Sequence, residues 1–214
     1  MIIAIDGPAA SGKGTLARRV ADAMDYAYLD TGLLYRATGA KVLAENGDPA
    51  DEAVAVSAAE NLTAADLEDE ALRSEEVGTA ASKVAAIPRV RAVLLDFQRT
   101  LARTPPGGKR GAVLDGRDIG TVVCPDAPIK FYLTASVEER ANRRFKQLQE
   151  KNPAAIYERV LKELEERDAR DSARDVAPLK MADDAIHIDT DRLNANAVFD
   201  AVMAHIHTHM GADD

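Results

Sequence analysis

Nine residues near the start of the chain, Gly7-Pro8-Ala9-Ala10-Ser11-Gly12-Lys13-Gly14-Thr15, have the types and spacing to hold phosphate. Glycines let successive backbone N–H groups curl around an anion, and a following helix adds the positive end of its dipole. Lys13 is placed to meet β- and γ-phosphates as a point charge, and the Thr15 hydroxyl to meet a magnesium ion. A glycine turn that merely joins two elements is the simpler alternative. The flanks argue against it: Ile2–Ile5 is a buried-strand run, and Leu16, Val20 and Ala23/Met24 repeat at helical spacing.

Three further groups could act on the same chemistry. Asp115-Gly116-Arg117-Asp118 follows an apolar run, so Asp115 is placed at a strand end, where a carboxylate can hold water on Mg²⁺. A turn that uses Asp and Gly for backbone tolerance is the alternative, though it leaves Arg117-Asp118 unexplained. Asp30-Thr31-Gly32-Leu33-Leu34-Tyr35-Arg36 also follows a short strand, and Thr31, Tyr35 and Arg36 could reach a second phosphate-bearing ligand. A helix cap at Asp30 or Thr31 is the plainer reading. Arg167, Arg170, Asp171 and Arg174 fall on one helical face. Such a run is commonly a solvated face with weak pairs such as Glu163–Arg167, each worth about 0.2–0.5 kcal/mol. Beside a phosphate loop it also suits a mobile lid over transferring phosphates. His205, His207 and His209 alternate with no Cys or carboxylate cluster beside them, and a metal role is not favoured.

These groups need a frame that brings strand ends together. Apolar runs at Ile2–Ile5, Ala27–Leu29, Ala112–Leu114, Ile129–Leu133 and Ala185–Ile188 predict five strands. Amphipathic stretches separate most of them, which predicts an α/β fold with a parallel sheet flanked by helices. Ser136-Val137-Glu138-Glu139 fits a capping box and Pro88 a first helical position. Val90, Leu94, Phe97 and Leu101 form a stripe expected to pack on the core, and Thr104-Pro105-Pro106-Gly107-Gly108 ends that helix. Residues 38–87 form a helical insertion between the second and third strands. A second excursion starts near Lys151, where Ile156, Val160 and Leu164 make one apolar stripe before the arginines begin.

At 214 residues the chain suits one domain with a substantial core. Its net charge of −9 argues against nucleic-acid or anionic-membrane partners, which need a basic field. No run is long enough to span a bilayer, the first strand leaves no room for a secretory signal, and Cys124 has no disulfide partner. A cytoplasmic monomer with a buried, unreactive Cys124 is expected.

The blocks Gly-Pro-Ala-Ala-Ser-Gly-Lys-Gly-Thr, Leu-Asp-Thr-Gly-Leu-Leu-Tyr-Arg, Glu-Glu-Val-Gly-Thr-Ala-Ala-Ser-Lys-Val-Ala, Asp-Gly-Arg-Asp-Ile-Gly-Thr-Val-Val and Arg-Asp-Ala-Arg-Asp-Ser-Ala-Arg together resemble the bacterial cytidylate kinases. The Gly-Lys-Gly-Thr ending likewise resembles nucleoside monophosphate kinases more than GTPases. The resemblance implies a P-loop kinase core over 1–214, an NMP-binding insertion at 38–87 and an Arg-rich lid at 149–176. It implies transfer of the ATP γ-phosphate to CMP or dCMP with Mg²⁺, in pyrimidine metabolism. By resemblance Gly7 to Thr15 bind ATP, and Arg36, Arg117 and Arg167 hold the CMP phosphate with Thr31 and Tyr35 nearby. Ser82, Arg91 and Asp118 face cytosine, Asp171 the sugar, Arg170 and Arg174 belong to the lid, and Asp115 to the magnesium shell. Lys13, Arg117, Arg167 and Arg174 are the expected catalytic charges. The insertion is shorter than in many such kinases, and 51–69 reads helical where they carry extra strands. Rival readings are a kinase for AMP or UMP, and a P-loop switch ATPase with no acceptor site.

Overall fold

Five strands and eight α-helices, with the turns between them, make up the residues described by the computed structural model, which are 1–63, 65–150 and 152–211. Ala64 of the insertion, Lys151 of the expected lid and positions 212–214 lie outside them. The strands β1 (Ile2–Asp6), β2 (Ala27–Asp30), β3 (Ala112–Gly116), β4 (Ile129–Thr134) and β5 (Ile186–Asp189) form one sheet in the order β2-β3-β1-β4-β5. Every neighbouring pair is parallel. All five carboxyl ends therefore lie along one edge, the edge where such sheets bind ligands.

Side chains alternate along β1. Ile3 and Ile5 pack with Phe131 and Leu133 under Leu16 and Val20 of α1 (Lys13–Met24) and under Val202 and Ile206 of α8 (Ala195–Gly211). Ala4 faces the other way, into a layer with Leu114, Ile119, Val123 and the buried Cys124. Burial pushes that thiol up to about 11, as expected of an inert cysteine. His205, His207 and His209 are exposed on α8. No described helix is long and apolar enough to cross a membrane.

The regular structure in the insertion's described residues is all helical, joined by short turns, with no strand among them. The chain enters it along α2 (Thr31–Ala44) and continues through α3 (Glu52–Glu60), two 3₁₀ turns, α4 (Glu75–Val84) and α5 (Pro88–Arg103). Val42, Val56 and Val84 of the insertion pack with Leu34 and Val90, just outside it on α2 and α5, in a core separate from that of the sheet.

Several local expectations need correction. On α5, Val90 and Leu94 are buried, but Phe97 is 46% exposed and Leu101 lies only at the edge. The buried face is rotated toward Arg91, Gln98 and Ala102, because Arg91 must turn inward to a carboxylate. Ile156 is exposed at the start of α7 (Tyr157–Ser172), while Val160 and Leu164 are buried as expected. Only half of the capping box forms on α6 (Val137–Gln149). Ser136 accepts from the Glu139 N–H at 3.3 Å, but the Glu139 carboxylate turns to Arg143 at 2.9 Å, and Asp191 takes the Ser136 N–H instead. Arg174 lies past the end of α7, so it shares the Arg167 side by folding back rather than by helical phase. Glu163 pairs with Arg159 at 2.9 Å, and Arg167 approaches Asp171 instead.

Candidate active site

The loop after β1 wraps back on itself before α1 begins. Gly12, at φ +91°, supplies a left-handed turn that a side chain would strain, and Ala10 accepts the same strain at φ +59°. The buried Lys13 Nζ donates to the Pro8 carbonyl at 3.2 Å. Burial and the neighbouring Arg117 hold this lysine down at about 7. Ser11 is buried and its hydroxyl has no partner, an orphaned donor inside a loop built around N–H groups.

Two cavities open on either side of Lys13, which lines both. One, of about 280 Å³, gathers Lys13, Arg36, Arg117 and, from α7, both Arg167 and Arg170, from four places in the chain. It also receives Arg144 of α6. Burial and then Arg144 push the Arg36 guanidinium down, and burial with Arg117 holds Arg167 at about 9. Arg167 Nε is buried without a hydrogen-bond partner, the Asp171 carboxylate lying 3.9 Å away. Like charges kept this close, with donors unsatisfied, form a site for a polyanion. Arg36 is itself held by the Leu72 carbonyl at 2.6 Å, so the insertion aims it.

The other cavity, of about 520 Å³, runs from Ser11 and Thr15 to Leu193, Asn194 and Val198 behind β5, with Arg19 and Arg143 at its sides. Its mixed apolar and polar lining suits a nucleoside. Arg19 donates to the Ala195 carbonyl at 2.9 Å and stacks over Phe199, which ties α1 to α8 at this wall.

A third, smaller pocket of about 50 Å³ adjoins the first. Thr31, Tyr35, Ser82, Arg91, Arg117, Asp118, Arg167 and Asp171, all expected around the acceptor nucleotide, line it together with Arg174. Arg36 alone of that set faces only the first cavity. Arg91 pairs with Asp118, and both side chains are under a tenth exposed. Burial pushes the Asp118 carboxyl up and Arg91 opposes it. Asp171 accepts from Ser82 at 3.1 Å, from Arg117 at 3.0 Å and from Arg174. Burial alone would raise Asp171, but Arg117, Arg174 and Arg167 outweigh it and lower its pKa. Tyr35 Oη is buried with no partner, and its ring lies under Arg91.

Asp30 occupies the N-cap position of α2 but makes no side-chain cap, and Thr31 Oγ1 donates instead to the Asp115 carbonyl at 2.7 Å. The capping reading therefore fails here. Asp115 stands opposite Asp30 in the β2–β3 register, and one of its oxygens accepts from Tyr28 Oη at 3.1 Å. Burial, then Asp30, pushes Asp115 up to about 7 against the pull of Lys13. Two carboxylates in facing register form a hard-oxygen pair whose mutual repulsion a divalent cation would relieve. Thr15 lines the second cavity rather than the one these carboxylates line.

Sequence reasoning missed Arg144, Arg19, Arg143 and the 190–198 wall. The signal available was position: residues just past the ends of parallel strands, and the arginine run of α6.

The chain matches the family model described as cytidylate kinase over residues 3–208. A cytidylate kinase of Paramagnetospirillum magneticum is 60% identical over 202 residues, covering 94% of this chain and 95% of its own. One from Rhodospirillum rubrum is 55% identical over 203 residues, with 95% of each chain covered. A crystal structure of an uncharacterized protein from Eubacterium ventriosum covers 96% of this chain and 98% of its own with a TM-score of 0.52. At 14% identity it shares the fold alone. With the family model spanning nearly the whole chain and relatives at these identities, the chain belongs to the cytidylate kinase family.

Proposed function

We propose that the chain transfers the γ-phosphate of ATP to CMP or dCMP, giving ADP and CDP or dCDP. The observation that carries this reading is the shared cavity. Lys13 opens it toward a nucleoside-sized cleft on one side, and Arg117 and Arg167 line both it and the acceptor pocket on the other. A switch ATPase has no need of that second, arginine-lined pocket.

ATP would lie with its phosphates in the Gly7–Thr15 loop and its base in the Leu193 cleft. The acceptor phosphate is already anionic at neutral pH, so no general base is needed. Catalysis rests on alignment and charge compensation in a loose transition state. Arg36 and Arg117 hold the acceptor phosphate, while Lys13, Arg167 and Arg174 offset charge on the transferring group. Arg144 and Arg170 add to the same field. Asp115, through water, and Thr15 would hold Mg²⁺, which when bound neutralises phosphate charge. Residues 149–176 serve as the lid and 38–87 as the acceptor insertion, in a monomer acting on soluble substrates in the cytoplasm.

Cytosine offers an N4 donor beside its N3 and O2 acceptors. The buried Asp118–Arg91 pair offers the complement, one acceptor beside one donor fork. Uracil reverses positions 3 and 4 and would set O4 against the carboxylate. A coupled assay of ADP release with CMP, UMP and AMP tests the proposal. CMP should be turned over best; equal rates with AMP would overturn it.

A further inference from the structure

Asp118 begins a five-residue π-helical turn, Ile119–Val123, in which the Val123 and Cys124 N–H groups donate to the Asp118 and Ile119 carbonyls at 3.1 and 2.7 Å. Such turns are rare and concentrate at functional sites, and like any helical segment they leave orphan groups at both ends. Here each end is closed by a charged side chain from another element. At the start, the two oxygens of Asp6 accept separately from the Ile119 and Gly120 N–H groups, at 2.8 and 2.7 Å. At the finish, Arg99 donates Nε to the Val123 carbonyl and Nη2 to the Val122 carbonyl, both at 3.0 Å. Neither Asp6 nor Arg99 lines any of the three cavities.

We infer that Asp6 and Arg99 clamp this turn and are positioning residues for the choice of pyrimidine base. The inference rests on Asp118 being the group that faces cytosine. Three observations converge on it. Arg99 and Arg91 lie two helical turns apart on α5, so one rigid helix fixes both the partner of Asp118 and the far end of the turn that carries it. Asp6 is 4% exposed at the end of the central strand, so the near end is fixed to the sheet. Gly120 is closely neighboured, since a Cβ there would lie 3.1 Å from Lys130 Cδ, which would have to give way, and 3.4 Å from Asp6 Oδ2. The turn is thus held at both ends and pressed from one side. A recognition pair needs that support, because a loosened carboxylate meets cytosine N4 and uracil O4 less differently.

Asp6 adjoins the phosphate loop, so Arg99 is the cleaner test. The measurement is kcat/KM for CMP and for UMP at saturating Mg-ATP in the wild type, Arg99→Ala, Asp118→Asn and the double variant. Arg99→Ala should narrow the CMP/UMP ratio by about three- to tenfold, as for a charged hydrogen bond loosened rather than lost, chiefly through KM for CMP. KM for Mg-ATP should not move, and Arg99→Lys should recover part of the ratio. In the Asp118→Asn background, Arg99→Ala should narrow the ratio no further. An equal fall for both monophosphates, or the same narrowing in both backgrounds, would overturn the clamp while leaving Asp118 in its role. An unchanged ratio in Asp118→Asn alone would remove the base-reading assignment, and the inference with it. Should Arg99→Ala not fold, Arg99→Gln, which keeps one donor, carries the same comparison.

Discussion

Asp171 of α7 accepts a hydrogen bond from Ser82 of α4 at 3.1 Å, so the arginine-rich helix and the insertion are joined side chain to side chain. The same carboxylate neutralises Arg117 and Arg174, which makes it the point where the segment after β3, helix α4 and the end of α7 meet. Asp171→Ala should leave those guanidinium groups facing one another without a counter-charge. Tryptic cleavage at Arg167, Arg170 and Arg174 should then be faster than in wild type without nucleotide. In the wild type, ATP and CMP together should slow it, because closure orders the segment. Cleavage that is equal in both proteins and indifferent to nucleotides would mark the arginines as an ordinary solvated face.

Lys13 is buried, and a methionine can fill its space but leaves the Pro8 carbonyl without its donor. Lys13→Met should lower kcat by about 10²–10³-fold, the usual loss when a preorganised charge is removed from a transition state. Its melting temperature should change little, since the lost hydrogen bond to Pro8 is set against removal of a desolvated ammonium. Near-wild-type turnover in the folded variant would take the phosphate role away from Lys13.

The same residue predicts a proton linkage. Burial and Arg117 hold Lys13 at about 7 in the free enzyme, and a bound polyphosphate must raise it. Above that value the free enzyme carries fewer protons than the complex, so binding takes protons up and weakens as pH rises. Titration calorimetry of metal-free ADP at pH 8, in buffers of different ionisation enthalpy, should show net proton uptake. Uptake that persists undiminished in Lys13→Met would assign the linkage to another group.

The sheet was legible because its strands are short apolar runs, most deeply buried at the centre, and each of the five falls within a residue or two of its expected place. The phosphate loop was legible for a similar reason, since its glycines and lysine are adjacent in sequence. What escaped depends on distant partners. Nothing near Phe97 says that Arg91, six residues earlier, must turn inward to Asp118 and rotate the buried face of α5 away from it. Glu163 has two arginines within a helical turn, and only the fold decides that Arg167 is taken by Asp171. Arg144 looks like any surface arginine until α6 is laid along the cavity.

The Arg91–Asp118 pair gives the sharpest energetic test. Both side chains are under a tenth exposed, so removing one partner strands a charge, whereas removing both does not. Arg91→Met should destabilise the free protein at pH 8 by about 3–5 kcal/mol, and the Arg91→Met/Asp118→Asn double variant should recover part of that loss. The sign of the pH dependence follows from Asp118. Burial already raises its folded pKa, and losing Arg91 removes what opposes that rise. Between the unfolded value of about 3.9 and the raised folded value, the native state holds the extra proton, so stability falls as pH rises through that window. Thermal melts at pH 5 and pH 8 should therefore show a smaller deficit for Arg91→Met at pH 5. Losses that add in the double variant and ignore pH would mean that the two groups are not energetically coupled, and that the acceptor pocket is held together by other contacts.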